Sequence, residues 1–332
     1  MEAPVLSPSV LDLDSAAEVD FIGARMREIV GRDLKRRGVV VALSGGVDSS
    51  VCVGLAVRAF GPEKVFVVLL PERESSSASV TLGRRVAAQF GVVPVLQEIS
   101  PALEGLDCYR QRDEAIREVF PAYGADWKSK LVIAGGVQGG LNFFKLVVQA
   151  PDGTTQEARL PPKPYLQIVA AQNYKQRIRK TIEYYHADRL NFAVVGTPNR
   201  LEYDQGFFVK GGDGLADIKP IAKLYKTQVY ALARHMGLPA AIAERDPTTE
   251  TFSLPQTQEE FYFGHPYDKM DLLVHGVEEG IAPADLAPLV GMDADGVASA
   301  YDEVRRVRTA TAYLHSSARI IDVDGSNHPA GR

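Results

Sequence analysis

The chain has 332 residues, of which 45% are hydrophobic and 24% are charged, and this balance excludes disorder along its whole length. Its formal net charge of −5 argues against a protein whose main task is to neutralise nucleic-acid phosphates. Apolar runs such as residues 65–70 are too short to span a bilayer, and we expect no secretory signal. The two cysteines, Cys52 and Cys108, fit no metal or redox motif, so we expect a reducing, cytoplasmic location.

The start of the chain divides into an arm and a helix. Residues 1–14 lack hydrophobic periodicity and are predicted to form a loose N-terminal arm. Ser15 and Glu18 then have the spacing of a capping box, which predicts that a helix begins at this point. We expect one main domain over residues 15–300 and a C-terminal segment over 301–332.

Four short apolar runs lack the polar alternation of a half-exposed strand and are predicted to be strands buried on both faces. They are residues 39–43, 65–70, 92–96 and 192–195. Helical patterns occupy residues 48–60, 80–90 and 173–186 and most of the chain beyond 225. Because helices separate the first three strands, the order predicts an α/β fold with a parallel sheet. The ligand site of such a sheet lies beyond the carboxyl ends of its strands.

Residues 131–170 have a different pattern. Two strand-like segments, 142–149 and 155–160, flank Pro151-Asp152-Gly153, which is a favourable turn sequence. This arrangement predicts a β-hairpin inserted into the α/β domain.

The strongest functional motif is Ser44-Gly45-Gly46-Val47-Asp48-Ser49-Ser50, which lies between the first predicted strand and the next helix. Its glycines let the backbone approach a ligand closely, and the free amides at a helix start bind anions. The Walker sequence is absent. An acidic Asp48 inside a phosphate site is explained if it holds a cation such as Mg²⁺. The alternative is a serine-rich turn that only caps a helix.

The motif SGGVDSS resembles the pyrophosphate-binding loop of the ATP pyrophosphatases, which cleave ATP to AMP and pyrophosphate while activating a substrate oxygen. Within that superfamily, residues 15–275 resemble the NAD synthetase family, most specifically between 173 and 247. The resemblance implies a doubly wound, Rossmann-like parallel sheet, ATP and Mg²⁺, an acyl-adenylate intermediate, and a homodimer with the dinucleotide bound across its interface. The implied reaction amidates nicotinic acid adenine dinucleotide (deamido-NAD) to NAD with ammonia.

Five residues match family contacts to deamido-NAD. Asn173 and Arg177 lie in NYKQRIRK, and Lys210 and Asp217 lie in GFFVKGGDGLAD. His315 is the nearest match to a His-Lys pair near the C-terminus, although the lysine is missing. A spacing of four places Asn173 and Arg177 on one helical face. From spacing alone, the alternative is a solvated basic face.

The resemblance also implies ATP and metal contacts. Thr197, Lys226 and Thr248 match residues that contact ATP, and Glu202 matches a carboxylate that binds Mg²⁺ together with Asp48. We therefore assign catalytic roles to Asp48, Lys226 and Thr248, because charge at the transferring phosphoryl group grows in the transition state.

The α/β domain begins close to Met1, so we expect no amidase domain ahead of it and ammonia as the direct nitrogen donor, with a separate glutaminase as a possible partner. Three alternatives stay open. The loop at 249–258 and the missing lysine leave room for another carboxylic acid as substrate. A tRNA-modifying ATP pyrophosphatase usually needs paired cysteines or a basic domain, and neither is visible. A non-catalytic nucleotide sensor is the third. We expect no nucleic-acid or membrane partner.

Overall fold

The computed structural model describes residues 7–134, 143–244, 252–257 and 262–321. Its strands are β1 (Val39–Ala42), β2 (Val65–Leu69), β3 (Val95–Leu96), β4 (Lys128–Ala134), β5 (Phe143–Gln149), β6 (Thr155–Arg159) and β7 (Ala193–Val195). Its helices are α1 (Ser15–Arg27), α2 (Val47–Phe60), α3 (Ser77–Gln89), α4 (Ser100–Gly105), α5 (Cys108–Arg117), α6 (Pro162–Leu190), α7 (Arg200–Asp204), α8 (Lys226–His235), α9 (Ala240–Ala243), α10 (Tyr267–Glu279), α11 (Pro283–Val290) and α12 (Ala294–His315). Within these ranges, a search for helices that are both long and apolar enough to cross a bilayer finds none.

The predicted parallel sheet is confirmed. Its strands run in the order β3-β2-β1-β7, and Val39 of β1 is in register with Val65 of β2 and Ala193 of β7. Alternate residues of β1 point to opposite faces. Val39 packs among α1, α2 and α8, whereas Val40 packs toward α5 and α6. Helices therefore cover both faces, which explains why β1 is continuously apolar.

The strand predicted at 92–96 is shorter in the structure. The strand contains just Val95 and Leu96, both exposed, and the Gln97 amide adds a last hydrogen bond to the Leu69 carbonyl of β2 at 2.9 Å. Pro94 has no N–H to donate, so pairing begins after it at this edge of the sheet.

The start of the chain differs from the prediction in two ways. The prediction of a capping box formed by Ser15 and Glu18 is wrong, because the N-cap of α1 is Asp14. The Asp14 carboxylate accepts hydrogen bonds from the amides of Ala16 (3.0 Å) and Ala17 (3.1 Å). The described part of the predicted loose arm is anchored at one residue, although Ser9, Val10 and Asp12 around it are exposed. Leu11 is buried, and its carbonyl accepts a hydrogen bond from Gln228 Nε2 at 2.8 Å.

The predicted hairpin is confirmed, but it belongs to a larger unit. β5 and β6 pair antiparallel around Gly153, and β4 adds a third strand before them. We call β4–β6 the inserted sheet. Its predicted end at residue 170 is wrong, because α6 begins at Pro162 and already includes residues 162–172. Proline is tolerated in the first helical turn, so the prolines here start the helix instead of preventing it.

The predicted helical character beyond residue 225 is confirmed by α8–α12. α10, α11 and α12 form their own hydrophobic cluster, which also includes Leu11. α12 runs without a break through residue 300, where the sequence suggested the start of a C-terminal segment. Tyr301 and Val304 of this helix are buried, so its first part belongs to the folded body.

Candidate active site

A cavity of about 630 Å³ lies beyond the carboxyl ends of β1, β2 and β7. The segments that follow all three strands line it, as the topology of a parallel sheet predicts. α6 and the inserted sheet supply further walls. Most of the predicted site residues meet here.

The loop after β1 presents its backbone to this cavity. Gly46 is the N-cap of α2 and has no side chain to occupy the first-turn amides, which favours an anionic ligand. Gly45 has a φ of +84°, and a Cβ there would lie 2.5 Å from the Ser79 carbonyl oxygen, so only glycine fits. The hydroxyls of Ser44 and Ser49 are 3.0 Å apart. Ser50 is turned inward, where its hydroxyl donates to the Gly46 carbonyl at 2.7 Å.

Asp48 and Lys226 form an ion pair between Asp48 Oδ2 and Lys226 Nζ at the start of α2 and α8. The Lys226 side chain is 1% exposed. Burial alone would lower the pKa of Lys226, but the negative charges of Asp48 and Glu202 outweigh it and raise that pKa. The cation is therefore fixed in the wall of the cavity at neutral pH.

Asn199 joins the two predicted metal carboxylates. Its Nδ2 donates to Asp48 Oδ1 at 3.2 Å, and its backbone amide donates to Glu202 Oε2 at 3.1 Å. Its own Oδ1 accepts from the Glu202 amide at 3.1 Å, which completes a capping box at the start of α7. Sequence analysis missed Asn199, although an asparagine three residues before a glutamate is a recognisable capping signal.

Asn173 and Arg177 both line the cavity from α6, as their spacing predicted. The Arg177 guanidinium donates to the Lys210 carbonyl oxygen, with Nε and Nη2 each at 3.3 Å. Lys210 also lines the cavity, but its ammonium donates to the carbonyl oxygens of Tyr313 (2.8 Å) and Ser316 (2.7 Å) at the end of α12. A cation at this position complements the negative end of the helix.

Two predicted substrate residues do not line the cavity of this chain. Asp217 is exposed, and its carboxylate accepts from the Val194 amide at 2.7 Å. The His315 ring packs edge-to-face against the rings of Tyr203 and Phe208 beside the cavity. Both matches depended on resemblance alone, and neither position has a local pattern that shows which way a side chain faces.

Asp213 and Gln172 are two of the polar cavity residues that sequence analysis missed. Asp213 lines the cavity four residues before Asp217, and burial raises the pKa of its carboxyl. Gln172 lines it one residue before Asn173. A glutamine in a polar helical stretch carries no sequence signal of a buried, inward position.

The inserted sheet makes part of the cavity apolar. Leu131 and Phe144 line it from β4 and β5, and Phe144 stacks on Tyr165 of α6 with ring centroids 4.5 Å apart. Phe252 completes this wall and belongs to the same hydrophobic cluster as Leu131.

The remaining predicted residues have simpler outcomes. Thr197 lines the cavity after β7, whereas Thr248 lies outside the described residues. Among the residues described, no three His, Cys, Asp or Glu side chains are grouped as a metal site. Cys52 and Cys108 are buried free thiols, and burial raises the pKa of each.

Comparison with known proteins gives a consistent picture. The family model described as NAD synthase matches residues 18–120 and 144–310 and leaves 121–143 unmatched. The chain is 53% identical over 318 residues to the NH(3)-dependent NAD(+) synthetase of Rhizobium meliloti (strain 1021), covering 96% of this chain and 95% of that protein. It is 54% identical over 308 residues to the protein of the same name from Mesorhizobium japonicum, covering 92% and 97%. The structure of an NH3-dependent NAD synthetase from Campylobacter jejuni has the same fold, with a TM-score of 0.61 at 20% identity, covering 93% of this chain and all of that one.

Proposed function

The chain belongs to the NAD synthase family, and from that premise we propose that it amidates deamido-NAD to NAD with ammonia, at the cost of ATP cleavage to AMP and pyrophosphate. The observation that carries the proposal is the joining of Asp48, Lys226, Asn199 and Glu202 at the loop after β1. That arrangement surrounds an anion-binding helix start with one fixed cation and two carboxylates.

The reaction proceeds in two transfers. An oxygen of the nicotinate carboxylate attacks the α-phosphorus of ATP, the bond to the bridging oxygen breaks, and pyrophosphate leaves. Ammonia then attacks the acyl carbon, the bond to AMP breaks, and the nitrogen loses a proton as the amide forms. Positioning and electrostatics are sufficient for this chemistry, so no covalent enzyme intermediate is required.

The ATP phosphates are assigned to the first-turn amides of α2 and to the hydroxyls of Ser44 and Ser49, while Ser50, whose hydroxyl donates to the Gly46 carbonyl, supports the loop from behind. Lys226 lies at the same end of the cavity, where its charge stabilises the negative charge that develops during transfer. Thr197 lines the same cavity after β7 and is assigned to ATP as well. Thr248 keeps its proposed phosphate contact on the resemblance alone.

Mg²⁺ is assigned to Asp48 and Glu202. This ion is usually bound by one or two protein carboxylates together with substrate phosphates, and Asn199 holds two carboxylates beside the phosphate loop. The donor set therefore fits. When bound, the ion neutralises charge on the pyrophosphate leaving group.

Deamido-NAD is assigned to the face of α6 that carries Asn173 and Arg177, with Lys210 across from it. Asp217 and His315 lie outside this cavity, so their proposed contacts require a homodimer in which a second copy brings its dinucleotide to them. The homodimer is thus part of the proposal. A cytoplasmic location is also part of the proposal, and a separate glutaminase is a possible partner.

The test uses the purified chain with ATP, Mg²⁺, deamido-NAD and ammonium. We expect NAD, AMP and pyrophosphate in equal amounts, with no NAD formed when any one substrate is omitted. Glutamine in ammonia-free buffer should give no turnover. If saturating deamido-NAD yields no AMP above background while another carboxylate does, the substrate assignment fails and the ATP chemistry stands.

A further inference from the structure

Lys175 is a buried cation of α6 that pairs with two carboxylates. Its side chain is 1% exposed, and its Nζ lies 3.2 Å from Glu72 Oε1 and 2.6 Å from Glu74 Oε2. Both glutamates belong to the segment that follows β2, residues 70–76. None of the three residues of this group lines the cavity. The ion pairs therefore lie behind the cavity wall.

Two side chains of α5 hold the carboxylates in place. Tyr109 Oη donates to Glu72 Oε2 at 2.7 Å, and the Arg112 guanidinium pairs with Glu74 Oε1. Both residues of α5 are buried. Burial alone would raise the pKa of Glu74, but the charges of Lys175 and Arg112 outweigh it and lower that pKa. Glu74 is therefore ionised at neutral pH.

On α6, Lys175 lies between the two residues that are assigned to deamido-NAD. Asn173 and Arg177 line the cavity, and each is turned about 200° from Lys175 around the helix axis. Arg179 Nε donates to the Leu70 carbonyl oxygen at 3.1 Å, which is a second connection between α6 and residues 70–76. Lys175 therefore holds the helix from the side that faces away from the substrate residues.

Residues 70–76 form a wall beside the loop that is assigned to the ATP phosphates. Ser75 lines the cavity, and the Glu72 amide donates to its hydroxyl oxygen at 3.0 Å. The segment leads into α3, where the Ser79 carbonyl packs closely against Gly45 of that loop. Glu72 therefore fixes a wall that borders the ATP site.

We propose that Lys175 is a positioning residue, whose ion pairs with Glu72 and Glu74 fix the deamido-NAD wall relative to the ATP wall. The pairs would thereby align the nicotinate carboxylate with the α-phosphorus. Rates depend steeply on such alignment, and a misplacement of about 1 Å can cost about 100-fold. This inference rests on the proposed function, because it requires both substrates to bind in this cavity.

The test separates position from stability with two variants. Lys175→Met leaves Glu72 buried without its cation, so the melting temperature should fall by about 4–7 °C. The double variant Glu72→Gln/Lys175→Met leaves no buried charge unpaired, because Glu74 keeps Arg112. Its carboxamide at position 72 can still accept from Tyr109. Since apolar residues often replace a buried ion pair without loss of stability, the melting temperature should return to within about 2 °C of the wild type.

Turnover should not return together with stability. In the double variant we expect kcat for NAD formation to fall by about 10- to 100-fold, because the reacting atoms are misaligned. The KM for ATP and the KM for deamido-NAD should each stay within about twofold, since every residue assigned to a substrate is still present. A merely structural role predicts instead that kcat recovers with the melting temperature. All rates are measured well below the lowest melting temperature.

Glu118→Gln/Lys163→Met is the matched control, because it makes the same two substitutions in an exposed pair. Lys163 of α6 lies 2.9 Å from Glu118 at the end of α5. Kinetics and melting temperature should stay unchanged.

A normal kcat in Glu72→Gln/Lys175→Met overturns the inference and leaves the proposed function standing. A raised KM with unchanged kcat also overturns it, because the network would then shape one binding wall without aligning the reactants. Wild-type protein that forms no NAD from deamido-NAD refutes the proposed function, and this inference falls with it.

Discussion

The parallel sheet and the inserted sheet line one cavity with different kinds of side chain, charged on the first wall and apolar on the second. The parallel sheet contributes the loop after β1, which we assign to the ATP phosphates, and a charged group in which Lys226 is fixed by Asp48. The inserted sheet contributes apolar side chains, with Phe144 stacked on Tyr165. The family match covers the parallel sheet and, from residue 144 onward, most of β5 and all of β6. It leaves residues 121–143 unmatched, which include β4 and its cavity residue Leu131.

The inserted sheet also holds a neighbouring segment in place. β4 is an edge strand, and its free edge is covered by residues 252–257. The Ser129 amide donates to Ser253 Oγ at 2.9 Å, and the Leu254 amide donates to the Ser129 carbonyl oxygen at 3.2 Å. Covering an edge in this way satisfies backbone groups that would otherwise be open to another chain. It also fixes Phe252 in the cavity wall.

The largest effect on turnover is expected at the ion pair of Asp48 and Lys226 in the wall that the parallel sheet contributes. Asp48→Asn keeps the shape of the side chain but removes the charge that holds Lys226 and is assigned to Mg²⁺. Turnover should fall by at least about 100-fold, as it does when one group that stabilises developing charge is removed. The fold should survive with a lower melting temperature, because a buried cation loses its partner. Steady-state rates and thermal melts measure both.

Asp20→Asn is the control for this change. Asp20 pairs with Arg58 at 2.9 Å on the surface, where both side chains are more than half exposed. Exposed pairs contribute little, so turnover and melting temperature should hardly change. Near-normal rates for Asp48→Asn at low Mg²⁺ would mean that the phosphate loop has been misinterpreted.

The same contrast separates what the sequence can predict from what it cannot. The wall that the parallel sheet contributes was predictable from the sequence, because a buried apolar strand, a glycine-rich loop and a helix are local patterns that follow one another along the chain. The two carboxylates of this wall were also found, although Asn199 between them was not. Orientation was harder: Asp213 and Asp217 are four residues apart, and only the fold decides that Asp213 faces the cavity.

The wall that the inserted sheet contributes was predicted only in part. The hairpin of residues 142–149 and 155–160 has a clear turn signal at 151–153, whereas β4 has none. The early start of α6 was missed because prolines at 161, 162 and 164 suggest a break. Contacts such as that of Ser129 with Ser253 join residues more than 100 positions apart. No local pattern indicates such a pairing.

A smaller effect, on the pH dependence of stability, is expected at Asp271, which contacts the start of α8 beside Lys226. Its side chain is fully buried in α10, and its Oδ2 accepts from the Thr227 amide at 2.9 Å, one residue after Lys226. Burial raises the pKa of Asp271 to about 6, although the bond from Thr227 opposes the shift. Since the folded pKa lies above the unfolded one, the folded state binds the proton more tightly. The resulting stability is complete below about pH 4 and is lost as the pH rises through 6.

Asp271→Asn cannot ionise, so this loss should disappear. Between pH 4 and pH 7 the variant should gain about 2–3 kcal/mol relative to the wild type, which corresponds to a shift of about two pH units. Urea unfolding at pH 4, 5.5 and 7 measures the difference. Asp268→Asn, at an exposed position on the same helix, should follow the wild type at every pH. Parallel curves for Asp271→Asn and the wild type would refute the assignment.

The smallest effect is expected at the inserted sheet, and it tests whether this wall only supports binding. Ser253→Ala removes the acceptor for the Ser129 amide, a bond worth about 0.5–1.5 kcal/mol. Residues 252–257 follow Thr248 closely in sequence, so loosening them should raise the KM for ATP by about three- to tenfold. Saturating ATP should restore turnover, and Ser253→Thr, which keeps the hydroxyl, should restore the KM. Glu157→Ala breaks a surface ion pair with Lys145 in the same sheet and should change neither quantity. A loss of rate that is equal at every ATP concentration would show that the variant simply contains less folded enzyme, and the inserted sheet would then have no role in holding the ATP site.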